Sequence, residues 1–193
     1  MDKIVVKKKE YEILEEVSSY IYKVKRDDIE YLVYHFENKK EDFDNFKFAQ
    51  KRLKNCGVTT PKVLEIDKKT MCFLVETYKN ETVFDMLLKE DLDEKIIEEA
   101  FVLNYKARVN KIKLDFNPQN FVWDNNVLLY TPFTFTTYNR EEDFSQKELF
   151  LWFYTKEFEK YLKEKNIPLQ KKRLINDFER NKQIVLLTVK YFR

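Results

Sequence analysis

The residues whose types suit metal or nucleophilic chemistry are few and scattered along this chain. His35 is the only histidine, and Cys56 and Cys72 are the only cysteines. One imidazole and two dispersed thiols do not have the spacing of a zinc site. No Gly-x-Ser-x-Gly segment is present, which argues against a Ser-His-Asp hydrolase. We therefore expect His35 to be an ordinary strand residue and both cysteines to be reduced thiols.

The chain contains a single glycine, Gly57, among 193 residues. Glycine-rich phosphate-binding loops need several glycines, because the backbone must approach the phosphate closely. The sequence therefore excludes a loop of this type.

An acidic residue and an amide stand five positions apart in the polar segment Asp115-Phe116-Asn117-Pro118-Gln119-Asn120. The segment follows a long predicted helix and precedes two short apolar runs. Asp115 could simply cap backbone N–H groups, as Asp commonly does in loops. Asn120 could likewise be a turn residue.

Alternating apolar and polar residues predict the elements of the first part of the chain. Helical spacing from Phe43 to Leu53 predicts one helix, and Gly57 suits its left-handed C-cap. Short β-rich runs predict five strands in an antiparallel meander, at residues 11–17, 20–25, 31–36, 63–67 and 71–76.

The rest of the chain is predicted to be mostly helical, with one β-hairpin at 121–123 and 127–130. Together with the preceding strands, this order predicts the α+β class. The predicted helices lie at 82–88, 93–109, 146–165 and 172–192.

Aromatic residues are dense in the predicted helix at 146–165 and just before it. Helical spacing favours packing between helices for most of them. Residues 150–153 are consecutive and apolar, which favours an exposed partner surface for part of the cluster. The cluster contains Phe144, Phe150, Trp152, Phe153, Tyr154, Phe158 and Tyr161.

Three segments resemble the protein-kinase-like fold, in particular small Bud32- and RIO-type kinases and the aminoglycoside and choline phosphotransferases. The segment from Asp115 to Phe121 resembles the D-x-x-P-x-N catalytic loop and the strand after it. Residues 53–64 resemble the end of the N-lobe helix and the following strand. Residues 74–83 resemble the hinge between the lobes.

The resemblance implies a two-lobed fold. The N-lobe would be residues 1–78, an antiparallel five-stranded sheet with one helix. The C-lobe would be residues 79–193, short and mostly helical, with a β-hairpin and a catalytic-loop-like segment at 113–133.

The resemblance also implies roles for four residues. Asp115 would orient the acceptor hydroxyl as the catalytic residue, and Asn120 would bind the metal. Glu76 and Tyr78 would lie in the hinge, where backbone groups bind the adenine of ATP.

Several positions depart from the kinase pattern. Pro132 stands where a metal-binding Asp is expected, and a prolyl ring offers no ligand. The strand Lys is replaced by Tyr34, or alternatively by His35, and its Glu partner by Phe46. Residues 15–20, which would cover the nucleotide, contain two carboxylates and no glycine. Because phosphoryl transfer depends on charge neutralisation, these losses favour a catalytically impaired protein.

The interpretation that we favour is a cytoplasmic pseudokinase that acts as a protein-interaction module, with no cofactor or with weakly bound ATP and Mg²⁺. The alternative is an active atypical ATP-dependent phosphotransferase with relocated ligands. A nucleic-acid-interaction domain is disfavoured by the formal charge of +2. The candidate relocated ligands are Glu76, Asp85 and Asp124 for metal, and Lys23 or Lys25 for phosphate.

The expected partner is a protein, and neither a membrane nor a nucleic acid is expected. No apolar run approaches the length of a bilayer span, and the N-terminal residues do not resemble a signal peptide. The basic clusters at 7–9 and 171–173 are expected to be solvated surface, because acidic residues lie nearby.

Overall fold

The computed structural model describes residues 2–78, 80–89, 92–153, 155–168 and 177–191. The chain divides into two compact units, of which the first is Met1–Arg52 with Thr60–Lys79 and the second is Leu53–Thr59 with Asn80–Arg193. Tyr154 and the basic cluster at 171–173 lie outside the described residues, as does part of the helix predicted at 172–192.

An antiparallel sheet of six strands forms most of the first unit, as far as it is described. The strands are β1 (Lys3–Val6), β2 (Lys9–Ser18), β3 (Ile21–Arg26), β4 (Ile29–His35), β5 (Val63–Asp67) and β6 (Cys72–Glu76). They are adjacent in the order β1-β2-β3-β4-β6-β5, and the helix α1 (Lys40–Asn55) follows β4.

The prediction of five strands was wrong by one, because β1 was not recognised. This strand pairs with β2 from Lys3↔Glu12 to Val6↔Lys9. It also contacts β5 at the opposite end of the strand order. The Lys7 N–H donates to Asp67 Oδ2 at 2.6 Å, and Lys9 Nζ donates to Glu65 Oε1 at 2.8 Å. The sheet is therefore curled, and its two edge strands partly cover each other.

The two faces of this sheet bury different side chains, because neighbouring residues of a strand point to opposite faces. On one face, Tyr34 of β4 and Phe73 of β6 pack with Phe43 and Phe46 of α1. The other face holds a separate apolar cluster of Ile4, Val6, Tyr11, Val24, Val33, Cys72 and Leu74.

The second unit is mainly helical where it is described. Its helices are α2 (Val83–Lys89), α3 (Glu94–Val109), α4 (Phe144–Lys147), α5 (Lys156–Glu164) and α6 (Asp177–Tyr191). Its strands are β7 (Ile112–Lys113), β8 (Phe121–Asp124), β9 (Val127–Tyr130) and β10 (Thr136–Thr137). Among these, β8 pairs with β9 and β7 with β10, so the described residues form two small antiparallel sheets.

The prediction of one continuous helix at 146–165 was wrong. A 3-10 turn at Leu149–Trp152 separates α4 from α5, and Phe153 has an extended backbone. The Thr155 hydroxyl accepts the N–H of Phe158 and caps α5. The change of backbone direction allows consecutive residues to enter one core.

The prediction that part of the aromatic cluster is exposed is therefore also wrong for the described residues. Leu151, Trp152 and Phe153 are buried, and Phe150 is half-buried against the same core. This stretch offers no apolar patch for a partner.

The structure confirms the α+β class. The two-lobed kinase-like arrangement, with lobes at 1–78 and 79–193, stays a prediction. Within the described ranges, no helix combines the length and the hydrophobicity that a bilayer span requires.

Among the described residues, three two-residue hairpin turns adopt left-handed backbone conformations without glycine. Both central residues of each turn have positive φ, which is the geometry of a type I′ turn and normally favours Asn-Gly. The residues and their φ angles are Lys7 (48°) and Lys8 (68°), Asp27 (51°) and Asp28 (60°), and Asn125 (49°) and Asn126 (63°).

We predict that Lys8→Gly stabilises the protein by about 0.5 kcal/mol. Relief of the left-handed conformation contributes about 1–2 kcal/mol, and the greater entropy of unfolded glycine offsets about 0.5–1 kcal/mol of that. The matched control is Lys68→Gly, at an exposed turn residue that does not have positive φ. Urea unfolding should show opposite signs for the two variants, and equal destabilisation by both would contradict the prediction.

Candidate functional site

The loop from Asp115 to Asn120 lies in the second unit, between β7 and β8. The Asp115 side chain is exposed, and its Oδ1 accepts the N–H of Asn117 at 3.0 Å. Asn117 Oδ1 in turn accepts the N–H of Gln119 at 3.1 Å, at the start of a 3-10 turn. Asp115 therefore caps a backbone N–H of its own loop, as expected for an Asp in a turn, while its carboxylate stays accessible to solvent.

Asn120 closes this loop. Its Nδ2 donates to the backbone oxygen of Asp115 at 3.2 Å. Its own backbone oxygen accepts from the N–H of Thr131 at 2.9 Å and from the Thr131 hydroxyl at 3.2 Å. The structure thus brings Asp115 and Asn120 together, and the Asn120 amide oxygen is the atom of that side chain that could face a cation.

Aromatic rings hold the loop from the interior. The Phe116 ring is buried and stacks on Phe144 at 4.5 Å and on Phe121 at 5.3 Å between centroids. The indole N–H of Trp152 donates to the backbone oxygen of Phe116 at 2.8 Å. Because this hydrogen bond is buried, it fixes the loop more strongly than a solvent-exposed contact would.

A second buried anchor comes from Tyr130 of β9. Its hydroxyl accepts the Asp115 N–H at 3.3 Å and donates to the backbone oxygen of Thr134 at 3.2 Å. Burial raises the pKa of Tyr130 to about 12, so the hydroxyl keeps its proton at neutral pH. The position of the Asp115 backbone is therefore defined by the hairpin that follows it.

Glu148 is part of the surroundings of Asp115, which sequence reasoning did not detect. Its side chain is half-buried, and Oε2 is buried with no hydrogen-bond partner among the described residues. Burial raises the pKa of this carboxyl to about 7; Lys113 opposes the shift, whereas the negative charges of Asp115 and Asp143 add to it. In sequence, Glu148 resembles a solvated helix residue, so no local signal marks it.

Asp124 and Pro132 lie on either side of β9. Pro132 is half-buried and provides no side-chain ligand. Asp124 is half-buried, and its Oδ1 accepts from Asn80 Nδ2 at 2.9 Å. Its Oδ2 accepts from Asn125 Nδ2 at 3.2 Å. Both carboxylate oxygens of Asp124 are thus engaged by amide groups.

Asp85 has a structural role at the start of α2. Its Oδ2 accepts from the Thr82 hydroxyl at 2.6 Å and from the Thr82 N–H at 3.2 Å. The Thr82 hydroxyl oxygen accepts the Asp85 N–H at 3.1 Å. This reciprocal pair has the form of a capping box and accounts for Asp85 without a metal.

In the first unit, the positions that the resemblance assigns to an ion pair are in contact, but both hold aromatic rings. The Tyr34 and Phe46 centroids are 4.7 Å apart, and Phe73 lies 4.4 Å from Phe46. Burial raises the pKa of Tyr34, so its phenol is neutral at physiological pH. No charge is therefore present at either position.

The residues predicted for the hinge lie at and just after the end of β6. Glu76 is exposed, and Tyr78 is half-buried. The Glu76 N–H donates to the backbone oxygen of Lys62 at 2.9 Å. That backbone donor is therefore already used within the first unit.

Lys23 and Lys25, the candidate phosphate ligands, are already in ion pairs. Lys23 Nζ lies 2.8 Å from Glu30 Oε2, and Lys25 Nζ lies 2.9 Å from Asp28 Oδ1. Neighbouring carboxylates raise the pKa of both lysines through these contacts. A phosphate would have to compete with these carboxylates for either cation.

The remaining residues with metal-binding potential are separate from one another. His35 lies in β4 with its ring 6.5 Å from that of Tyr22, and Cys56 and Cys72 are buried free thiols. Within the described ranges, no three histidine, cysteine or acidic side chains form a group that could hold a metal ion.

Comparison with known proteins gave no match to a family model and no match to a curated protein.

We predict that Asp85→Ala destabilises the protein by about 1 kcal/mol, because it removes one half of the capping box. Asp85→Asn keeps an acceptor oxygen and should retain most of the stability. Thermal unfolding with and without Mg²⁺ measures both effects. A loss of Mg²⁺-dependent stabilisation in Asp85→Asn would instead indicate a metal ligand.

Glu148 should make the stability of the protein fall as pH rises. The folded carboxyl has a pKa of about 7 against an ordinary 4.5, so the folded state binds the proton more tightly than the unfolded state. Stability is therefore highest below about pH 4.5 and is lost progressively up to about pH 7.

We predict that Glu148→Gln raises the free energy of unfolding at pH 8 by about 1 kcal/mol, because the variant no longer buries a charged carboxylate. The gain is smaller than the full pKa shift implies, since solvent screens the charge of this partly exposed group. At pH 4 the variant should gain nothing. Glu179→Gln, at an exposed position of α6, is the control and should be neutral at both values. An equal gain at pH 4 and pH 8 would refute the assignment.

Proposed function

We propose that this chain is a kinase-like binding module that does not transfer phosphate and that acts through a protein partner. The observation that carries the proposal is the contact between Tyr34 and Phe46, at positions where the resemblance implies a Lys–Glu ion pair. Catalysis of phosphoryl transfer consists largely of positioning and of neutralising charge. A neutral aromatic pair supplies no charge for that purpose.

The replacement is also physically consistent as a pair. Tyr34, Phe46 and Phe73 are all buried. Removal of only one member of a buried ion pair leaves an uncompensated charge at high cost, whereas well-packed apolar residues in both positions are often as stable as the pair. The aromatic packing therefore supports the proposal that the first unit folds without the Lys–Glu ion pair of a kinase.

An active phosphotransferase with relocated ligands is supported less well. Asp85 and Asp124 have their carboxylate contacts within the protein, and Lys23 and Lys25 are ion-paired. In phosphotransferase sites Mg²⁺ is usually bound by one or two carboxylates, and water and substrate phosphates complete its octahedron. The 115–120 loop supplies the carboxylate of Asp115, but Pro132 stands where the resemblance implies the metal-binding Asp.

The proposal of a protein partner is supported by the surface of α6. Leu187 on this helix is buried against the core, and Tyr191 donates a hydrogen bond to Glu98 of α3 at 2.7 Å. On another side of the helix, Val185 and Leu186 are 59% and 61% exposed, and Val189 is also exposed. Residues at this spacing form one stripe, and exposed apolar stripes are typical of interaction sites.

We expect ATP to leave the melting temperature unchanged, with or without Mg²⁺ or Mn²⁺. A ligand at about 100 times its dissociation constant would add about 2.7 kcal/mol to folding stability, which a thermal-shift titration detects. A metal-dependent shift that disappears in Asp115→Asn would overturn the proposal in favour of an active phosphotransferase.

The partner surface is tested by Val185→Ser combined with Val189→Ser. Both side chains are exposed, so we expect stability to change by less than about 0.5 kcal/mol. Co-purifying proteins captured by the wild type should be lost in this double variant. Lys156→Ser combined with Lys160→Ser, at two exposed positions four residues apart in α5, is the matched control and should retain them. Equal capture by both double variants would exclude this stripe as the interface.

A further inference from the structure

A cavity of about 670 Å³ lies within the second unit, where α3, residues 138–145 and α6 meet. We refer to it as the Arg108–Arg140 cavity. Neither Asp115 nor Asn120 lines it, so it is separate from the 115–120 loop. Its lining includes Arg108, Tyr138, Arg140, Asp143, Ser145 and Thr188.

Asp143 organises the inner wall of this cavity. Its carboxylate is buried and accepts from the Tyr138 hydroxyl at 3.0 Å, from the Ser145 hydroxyl at 2.8 Å and from Asn104 Nδ2 at 3.3 Å. The hydroxyl hydrogens of Tyr138 and Ser145 are thus directed to Asp143. Their oxygen atoms remain as hydrogen-bond acceptors for a ligand.

Two guanidinium groups provide the positive side of the cavity. Arg108 extends from α3 with its guanidinium carbon 5.8 Å from the centroid of the Tyr105 ring, and Arg140 is exposed in the 3-10 turn before α4. Burial and the hydrogen bond to Asp143 raise the pKa of Tyr138, whereas Arg108 and Arg140 both lower it. Both cations therefore act on the same hydroxyl, from different segments of the chain.

We infer that the Arg108–Arg140 cavity binds a small phosphate ester that carries hydroxyl groups, such as a sugar phosphate. Arginine binds phosphate through two parallel N–H donors, which gives both strength and orientation. The cavity volume lies within the range of about 300–1,000 Å³ that is usual for small-molecule sites. The cavity therefore has room for an organic part beside the phosphate.

The acidic residues of the cavity favour a phosphate ester with hydroxyl groups over a bare anion. Glu141 also lines the cavity, and its carboxylate, like that of Asp143, repels an ion that offers only negative charge. A carboxylate and two hydroxyl oxygens are good acceptors for the hydroxyl groups of a sugar. The mixed lining thus matches a molecule with a phosphate at one end and hydroxyl groups at the other.

The test is isothermal titration of the full chain with glycerol 3-phosphate, ribose 5-phosphate and glucose 6-phosphate. Glucose and inorganic phosphate serve as the two halves of the ligand. We expect at least one ester to bind about tenfold more tightly than either half, because each half makes only part of the contacts. Inorganic phosphate that binds as tightly as the esters, or no binding by any ester at millimolar concentration, would overturn the inference.

Arg140→Gln should weaken binding of the best ester about tenfold or more, because it removes a charged donor. Lys147→Gln removes the same charge from an exposed residue outside the lining and should leave binding unchanged. Circular dichroism melts check that both variants are folded. Equal affinity in the two variants would show that the ester binds elsewhere and would overturn the assignment to this cavity.

Discussion

Contacts between buried aromatic rings stabilise both units of this chain. In the first unit the Phe73 ring lies 4.7 Å from Phe43 and 4.4 Å from Phe46, and in the second Phe116 lies 4.5 Å from Phe144. Such rings bury large apolar areas and favour tilted or offset contacts. A polar group that enters such a core is costly unless it is hydrogen-bonded. The Trp152 indole meets this requirement by binding the backbone of the 115–120 loop, so aromatic packing also positions the candidate site.

The same aromatic packing leaves no room for unpaired charged side chains in the interior of the first unit. A lysine in place of Tyr34 would lie among Phe46 and other buried rings, where an uncompensated charge is costly. The lysines of β3 instead bind carboxylates of the neighbouring turn and strand at the surface. In the second unit, buried Asp143 accepts hydrogen bonds from amide and hydroxyl donors. The charges that a phosphotransferase would bring together are thus engaged separately in the described residues.

The parts of the fold that depend on local patterns could be predicted from sequence. Alternation and polar turns located the strands from β2 to β6 and the hairpin of β8 and β9. The strand β1 was missed because it is short and its turn consists of Lys7 and Lys8, which rarely adopt positive φ. The break between α4 and α5 was missed because it accompanies burial of Trp152 against Phe116, a contact across 36 positions of sequence. The surroundings of Glu148, and the placement of Arg108 and Arg140 around one cavity, also depend on contacts between residues that are distant in sequence.

Asp115 and Asn120 could be found because their motif is local, and for the same reason the motif does not by itself establish catalysis. The Asp115 carboxylate binds the N–H of Asn117, and the Asn120 amide binds the backbone oxygen of Asp115. These two contacts close the loop. This structural role is enough to explain why an acid and an amide stand five positions apart. A catalytic role requires in addition a cation and a phosphate beside the exposed carboxylate. A resemblance based on this loop therefore supports a proposed fold more strongly than a proposed activity.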